Sequence, residues 1–329
     1  MRQPRISIRA VGSYVPPKRV SNEELSLTVD TTDEWIRSHT GITNRFIADD
    51  HTSTSDLAVL AVRDMMSRYH LESTDIGAIV LATGTQDHIG FPATASIIQE
   101  KLSLPHIPSF DVSAGCSGFV YAMEIARGLL SVGAVKTAVV IGSEKMSAIT
   151  DWNDRNTCVL FGDGAGAVLL EANNKSHGAI IDTVLFGSGE GSSKLIIEEG
   201  GVAKPITEGS ETSNRKLKMN GRAVYNFAVQ VLGDVITELL KRNNVSIDEI
   251  DWIVPHQANE RIVQATAKRL EIDPSKFYIN IAEYANTSAA SIPIALDEMS
   301  KRNVLTPGQL IMTVGFGAGL TYGGNIIRW

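Results

Sequence analysis

Apolar runs rich in β-branched and aliphatic residues recur along the chain, each closing on Gly, Ser, His or a neighbouring polar residue. They read "GAIVLATG", "HIPSFDVS", "AVVIGSE", "CVLFGDGAGAVLLE", "WIVPHQ" and "LIMTVGFG". Continuous apolar runs of this length predict strands covered on both faces. Between them, "TSDLAVLAVRDMMSRY", "GFVYAMEIARGLLSVG", "VYNFAVQVLGDVITELLKRNN", "RIVQATAKRL" and "ASIPIALDEMSKRN" place apolar residues at helical spacing with charges on the opposite face. These predict amphipathic helices laid over the strands, and the alternation predicts a layered α/β fold.

The pattern also repeats. "STDIGAIVLATGTQ" at Ser73 is similar to "SIDEIDWIVPHQAN" at Ser246, "IPSFDVSAGCSG" at Ile107 to "KFYINIAEYANTS" at Lys276, and "VKTAVVIGSE" to "PGQLIMTVGFG". The three pairs come in the same order, offset by roughly half the chain, which predicts two duplicated halves. The division is expected in the polar, turn-rich "ANNKSHG" of residues 172–178, giving halves 1–175 and 176–329. "EEGGVAKPITEGSETSNRK", Glu198 to Lys216, has no periodicity and is read as an exposed loop inserted in the second half.

Composition narrows the function. The chain has 329 residues, 43% of them hydrophobic, and a net charge of -7. It carries no overall basic signature of nucleic-acid binding. The quoted apolar runs fall short of the roughly 20 residues of a membrane helix, and no N-terminal secretory pattern stands out. Two cysteines, Cys116 and Cys158, make no disulfide framework, and the expected compartment is a reducing cytoplasm. Cys158 is read as structural, inside a strand.

Candidate chemistry sits at the ends of the predicted strands. "SFDVS" leads through Ala114 and Gly115 to Cys116 and then into a helix. A thiol at a helix N-terminus meets free N–H groups and a positive dipole, which is expected to favour thiolate and suit an acyl-accepting nucleophile. A buried structural cysteine fits the same position. "VPHQAN" puts His256 just past a strand, and "YANTSAAS" puts Asn286 at the turn matching that of Cys116. Asn286 also fits a helix N-cap. His39, His51, His70, His88, His106 and His177 are read as ordinary surface or core residues. The glycine-rich "FGDGAGA" and "GFGAGLTYGG" fit neither a dinucleotide nor a P-loop pattern, and are read as tight turns, the second able to offer an N–H to an oxyanion.

Through "VGSYVPP", "VDTTDEWIRSHTGI", "DVSAGCSGF", "FGDGAGAVLL", "MNGRAVY", "VPHQANERI", "NTSAASIPIAL" and "GFGAGLTYGG", the sequence resembles the beta-ketoacyl-[acyl-carrier-protein] synthase III family from end to end. The resemblance implies a thiolase-like five-layer αβαβα fold from two similar halves, and a homodimer. It implies Cys116 as acyl carrier, His256 and Asn286 as the pair assisting malonyl decarboxylation, and backbone N–H groups of Cys116 and Ala318 as the oxyanion site. For coenzyme A it implies Trp35 stacking on the adenine with Arg155 nearby, further contacts from Thr31 and Asn259, and Gly221 and Tyr225 along the pantetheine tunnel. Phe91 would cross the dimer interface to limit the partner's acyl pocket. Where the family commonly has Arg, this chain has His39. Asn226 stands where a Lys can serve docking, while Arg261, Lys268 and Arg269 keep a basic face for an acidic acyl carrier protein.

The implied reaction is a decarboxylative condensation of a short acyl-CoA, by default acetyl-CoA, with malonyl-[acyl-carrier-protein], initiating fatty-acid synthesis. Coenzyme A thioester is then a substrate, no cofactor is held permanently and no metal is required. Alternatives are a specialised secondary-metabolite synthase with another starter or acceptor, and a non-catalytic acyl-CoA-binding protein. The Asn at 286 argues against elongating synthases and thiolases.

Overall fold

The computed structural model describes residues 4–173 and 178–329. Nine strands build the sheet framework: β1 (Arg5–Tyr14), β2 (Ile79–Ala82), β3 (Ser109–Val112), β4 (Thr137–Glu144), β5 (Gly164–Asn173), β6 (Ala179–Gly187), β7 (Trp252–Pro255), β8 (Leu310–Gly317) and β9 (Thr321–Arg328). The longer helices are α1 (Asp33–Thr40), α2 (Thr54–Tyr69), α3 (Thr94–Lys101), α4 (Gly118–Ser131), α5 (Gly221–Asn243), α6 (Glu260–Leu270) and α7 (Ser291–Lys301).

Strand order exposes the duplication. The sheet runs β7-β8-β9-β6-β1-β5-β4-β2-β3. From the centre outward, β1-β5-β4-β2-β3 is mirrored by β6-β9-β8-β7, with a further parallel bridge from Ile253 of β7 to Phe277 standing where β3 stands in the first half. β2 runs parallel to β3 and β4, β7 runs parallel to β8, and the other neighbours are antiparallel. The halves meet where Ser7 of β1 pairs with Ala179 of β6.

Packing follows from the two-residue period of buried strands. Val80, Val140 and Val168 of the first half and Val254, Ile311 and Ile327 of the second turn toward one shared core. Between them lie α4 and α7, contributing Phe119, Met123, Ile292, Leu296 and Met299. The alternate residues Ile79, Leu81, Val139 and Leu169 face outward against Leu57, Val62 and Met65 of α2 and Ile98 of α3. On the other side, Ile253, Met312, Val314 and Ile326 pack against Val231, Val235 and Leu239 of α5 and Ile262 of α6. The expected five layers, αβαβα, are therefore present. Each fully buried aliphatic or aromatic side chain contributes roughly 1.5–3 kcal/mol.

Several expectations are corrected. Cys158 ends a short helix, Arg155–Cys158, and is fully buried beneath α1 rather than lying in a strand. "FGDGAGA" is largely the start of β5, not a turn. A Cβ on its Gly166 would lie 2.7 Å from the Ile294 backbone N, so the missing side chain lets α7 approach the sheet. "GFGAGLTYGG" does turn, at Ala318 to Leu320, between β8 and β9. The apolar-run reading does not mark β1, β6 or β9, whose Arg, Ser, Asp, Asn and Gly interrupt the hydrophobic pattern. α5 is long and apolar enough to pass as a membrane span, yet it lays Ala228, Leu232, Val235 and Ile236 onto the second outer core. Glu198–Lys216 is a mostly exposed loop, as expected, with a Gly201–Lys204 bridge and a short 3-10 helix at Thr212–Arg215. Residues 174–177, where the expected boundary and His177 fall, lie outside the described residues.

Candidate active site

All the parallel strands deliver their C-terminal ends to one region, the usual place for ligands in open α/β sheets. Past β3, a single 3-10 turn, Gly115–Ser117, carries Cys116 into α4. Past β7 comes His256, and past the Phe277 segment come Asn286 and a matching 3-10 turn, Ser288–Ala290, leading into α7. Glu144 closes β4, and Ala318 follows β8. Cys116, Glu144, His256, Asn286, Ser288 and Ala318 line one cavity of about 920 Å³.

Two loops interlock at its floor. Gly115 has φ +52° and a Cβ there would lie 2.7 Å from Ala318 N, while one on Gly317 would lie 2.3 Å from Cys116 N. Only glycine allows these backbones so close, and the result brings the N–H groups of residues 116 and 318 to the same wall.

His256 is 2% exposed. Its Nδ1 lies 2.7 Å from Ser291 Oγ, and that oxygen accepts the Gln257 N–H at 3.3 Å. In the tautomer in which the Ser291 hydroxyl donates to Nδ1, the ring proton sits on Nε2 and is offered to the cavity. Burial pushes the His256 pKa down to about 3, so the ring is a neutral donor. Asn286 is buried, and its Oδ1 accepts Ser288 N–H at 2.8 Å, which leaves its amide hydrogens for another acceptor. Its role as a local cap and its place in the cavity coexist.

The thiol departs from expectation. Burial pushes the Cys116 pKa up to about 12, with the nearby Glu144 carboxyl adding to the rise. The resting group is a thiol, because burial and the neighbouring carboxyl disfavour the thiolate. Ser288 Oγ lies 3.3 Å from Cys116 Sγ and 2.9 Å from Glu144 Oε1.

At the open end, Thr32 caps α1 by accepting Trp35 N–H, and this helix presents Trp35 to the cavity. The His39 ring stacks on Trp35 with centroids 4.3 Å apart, and the Arg155 guanidinium lies 4.7 Å from the Trp35 ring centroid. His39, though exposed, lines the cavity mouth, whereas His51, His70, His88 and His106 are exposed outside the cavity lining. Asn259 caps α6 through Arg261 N–H and donates Nδ2–H to the His39 carbonyl at 3.0 Å, tying α1 to α6. Gly221 and Tyr225 at the start of α5 also line the cavity. Thr31 lies outside its lining, with a buried hydroxyl that has no partner among the described residues. Phe91 is 88% exposed and does not reach the cavity of its own chain. On α6, Arg261 and Lys268 are exposed, while Arg269 is engaged with the Gln230 carbonyl and Asp234 of α5.

This site can be set beside known proteins. The family described as 3-oxoacyl-[acyl-carrier-protein] synthase III matches residues 110–189, and its C-terminal counterpart matches residues 240–329. A beta-ketoacyl-[acyl-carrier-protein] synthase III from Caldanaerobacter subterraneus is 42% identical over 323 residues, covering 98% of this chain and 97% of that protein. The chain belongs to the beta-ketoacyl-[acyl-carrier-protein] synthase III family. The corresponding enzyme structure from Thermus thermophilus superimposes with a TM-score of 0.91 at 38% identity, covering 98% of this chain and 99% of that one. A priming beta-ketosynthase from the R1128 polyketide pathway gives 0.90 at 29% identity, covering 99% and 96%.

Three residues of the site escape the sequence reading: Glu144, Ser288 and Ser291. Ser288 and Ser291 stand inside "NTSAASIPIAL", and Glu144 ends "AVVIGSE" as a carboxylate closing an otherwise apolar strand. That last anomaly was the available signal, since a buried acid requires partners.

Proposed function

We propose that the chain joins a short acyl-CoA, by preference acetyl-CoA, to malonyl-[acyl-carrier-protein] with loss of carbon dioxide, the condensation that initiates fatty-acid synthesis in its family. The carrying observation is the enclosure of Cys116, a neutral His256 and Asn286 in one cavity. Cys116 Sγ attacks the acyl thioester and coenzyme A leaves as thiol. The N–H groups of Cys116 and Ala318 hold the tetrahedral oxyanion. Malonyl thioester then enters, and its carbonyl accepts hydrogen bonds from His256 Nε2 and the Asn286 amide. Those donors stabilise the enolate left when carbon dioxide departs, so no base need remove a proton from carbon. The enolate attacks the acyl-cysteine and yields 3-oxoacyl-[acyl-carrier-protein].

Trp35 and Arg155 offer an aromatic face and a cation suited to an adenine and its phosphates, with Asn259, Gly221 and Tyr225 along the rest of the coenzyme's course. Arg261, Lys268 and Arg269 supply the basic face of α6 for the carrier protein, Arg261 and Lys268 being free of ion pairs among the described residues. The exposed Ile89 and Phe91 favour a homodimer in which Phe91 closes the partner's acyl pocket. Halves 1–175 and 176–329 are the two evolutionary units, and the expected compartment is the cytoplasm.

The test is purified protein with malonyl-[acyl-carrier-protein] and a panel of acyl-CoAs, following carbon dioxide and product mass. Acetyl-CoA should be the preferred primer. Preference for a long primer or another acceptor would instead mark a specialised synthase.

A further inference from the structure

The cavity holds a buried carboxyl that the condensation leaves unused. Glu144 is fully buried, and its carboxyl is surrounded by donors. Gly84 N–H reaches both oxygens at 3.1 Å, Thr85 Oγ1 lies at 2.7 Å, Thr83 Oγ1 at 3.2 Å and Ser288 Oγ at 2.9 Å. The same Ser288 hydroxyl lies 3.3 Å from Cys116 Sγ. A hydroxyl has one hydrogen, and the carboxylate is its stronger acceptor. With that hydrogen on Glu144, the thiol S–H faces the free lone pair of Ser288. The three groups then form a directed chain from Sγ through Oγ to Oε1.

We propose that Ser288 and Glu144 take up the Cys116 proton during acylation, with Glu144 acting through Ser288. This rests on Cys116 being the acyl carrier. The Sγ–H proton moves to Ser288 Oγ as the serine's own proton moves to Glu144, while Sγ bonds to the acyl carbon. The carbon–sulfur bond to coenzyme A then breaks. The departing sulfur keeps the electron pair, receives the proton back from Glu144 through Ser288, and leaves as a thiol, so the carboxylate is restored.

His256 is poorly suited to this task, because its Nδ1 is engaged with Ser291 Oγ and burial makes the ring resist protonation. Burial raises the Glu144 pKa, which makes it a better proton acceptor than an ordinary carboxylate. The neighbouring charges do not compete. Lys145 points its ammonium at the carbonyls of Asp49 and Thr52, and Asp163 is held by Ser147 and Ala48. Cys116 and Glu144 therefore share one proton, and forming both anions together is disfavoured.

Two consequences differ in sign. If Glu144 were only an ionised structural neighbour, Glu144→Gln would remove a negative charge beside the thiol and speed its reaction. As the proton acceptor, it must do the reverse. The experiment measures iodoacetamide alkylation of Cys116, and its acylation by acetyl-CoA, from pH 6 to 10 by quenched mass spectrometry. Glu144→Gln should slow both at neutral pH by about 10²-fold, the usual scale of general-base catalysis, and move the profile to higher pH. Ser288→Ala should do the same, and the double variant should be no slower than either, as for residues acting as one unit. Alkylation of Glu144→Gln at or above the wild-type rate, or additive losses in the double variant, would overturn the relay. If Glu144→Gln fails to fold, Ser288→Ala decides alone. Absence of acyl-Cys116 in the wild type would contradict the acyl-carrier reading itself, and alkylation would still test the proton path.

Discussion

His256 pairs at Nδ1 with the Ser291 hydroxyl, which also accepts Gln257 N–H, and burial holds its pKa near 3, so the ring is neutral. The same burial carries a stability consequence. In the unfolded chain the ring titrates near 6.5, so between about pH 6.5 and 3 the unfolded state takes a proton that the folded state refuses. Folding therefore loses up to about 1.4 kcal/mol per pH unit from this group as pH falls below 6.5, and the contribution is fully present above it. His256→Gln should lower the urea midpoint less between pH 7 and pH 5 than wild type does. Equal losses would deny the neutral, buried ring. Cys116, His256 and Asn286 were legible in the sequence because the repeat sets their loops at corresponding strand ends. Glu144 and Ser288 were not, because their meaning lies in a contact between residues 144 positions apart. The elevated thiol pKa was equally hidden, since helix position is written in the sequence but the closure of the cavity around Sγ is not.

At the scale of elements, the site is the meeting of two loops that glycine alone permits. Gly317→Ala places a methyl group 2.3 Å from Cys116 N, directly at the proposed oxyanion donor. Acylation should fall by about 10²-fold, as on loss of an oxyanion donor, while thermal unfolding shifts by only a few degrees for an overpacking cost of about 1–3 kcal/mol. Steady-state acylation beside calorimetry separates the two, and loss of folding in step with activity would reduce Gly317 to a packing residue. The covering helices α2, α4, α5, α6 and α7 were legible because their apolar stripes keep the helical period across many residues, whereas α3, only eight residues long, was not. β1, β6 and β9 were not, because a central strand flanked on both edges can carry Arg, Ser or Gly where neighbouring side chains leave room. The "FGDGAGA" glycines misled for a related reason. Glycine in sequence signals close backbone approach, and only the fold reveals whether a turn or a crossing helix makes the approach.

At the scale of the whole molecule, two half-sheets enclosing α4 and α7 bring chemical groups from both halves to a shared cavity. Cys116 comes from the first half, and His256 and Asn286, the donors proposed for decarboxylation, come from the second. The exposed Ile89 and Phe91 extend this logic to a second copy of the chain. Phe91→Asp should weaken self-association in sedimentation velocity and change the relative use of short and long acyl-CoAs. A variant that stays dimeric with an unchanged primer profile would remove Phe91 from the interface. The division of labour between halves is tested most directly in His256→Ala, by following two half-reactions in the same preparation. Incubation with acetyl-CoA should give stoichiometric acetyl-Cys116 by intact mass, while carbon dioxide release from malonyl-[acyl-carrier-protein] and 3-oxoacyl product both fall by at least about 10²-fold. Failure to acylate Cys116, or condensation at the wild-type rate, would contradict the assignment of the two halves to the two steps.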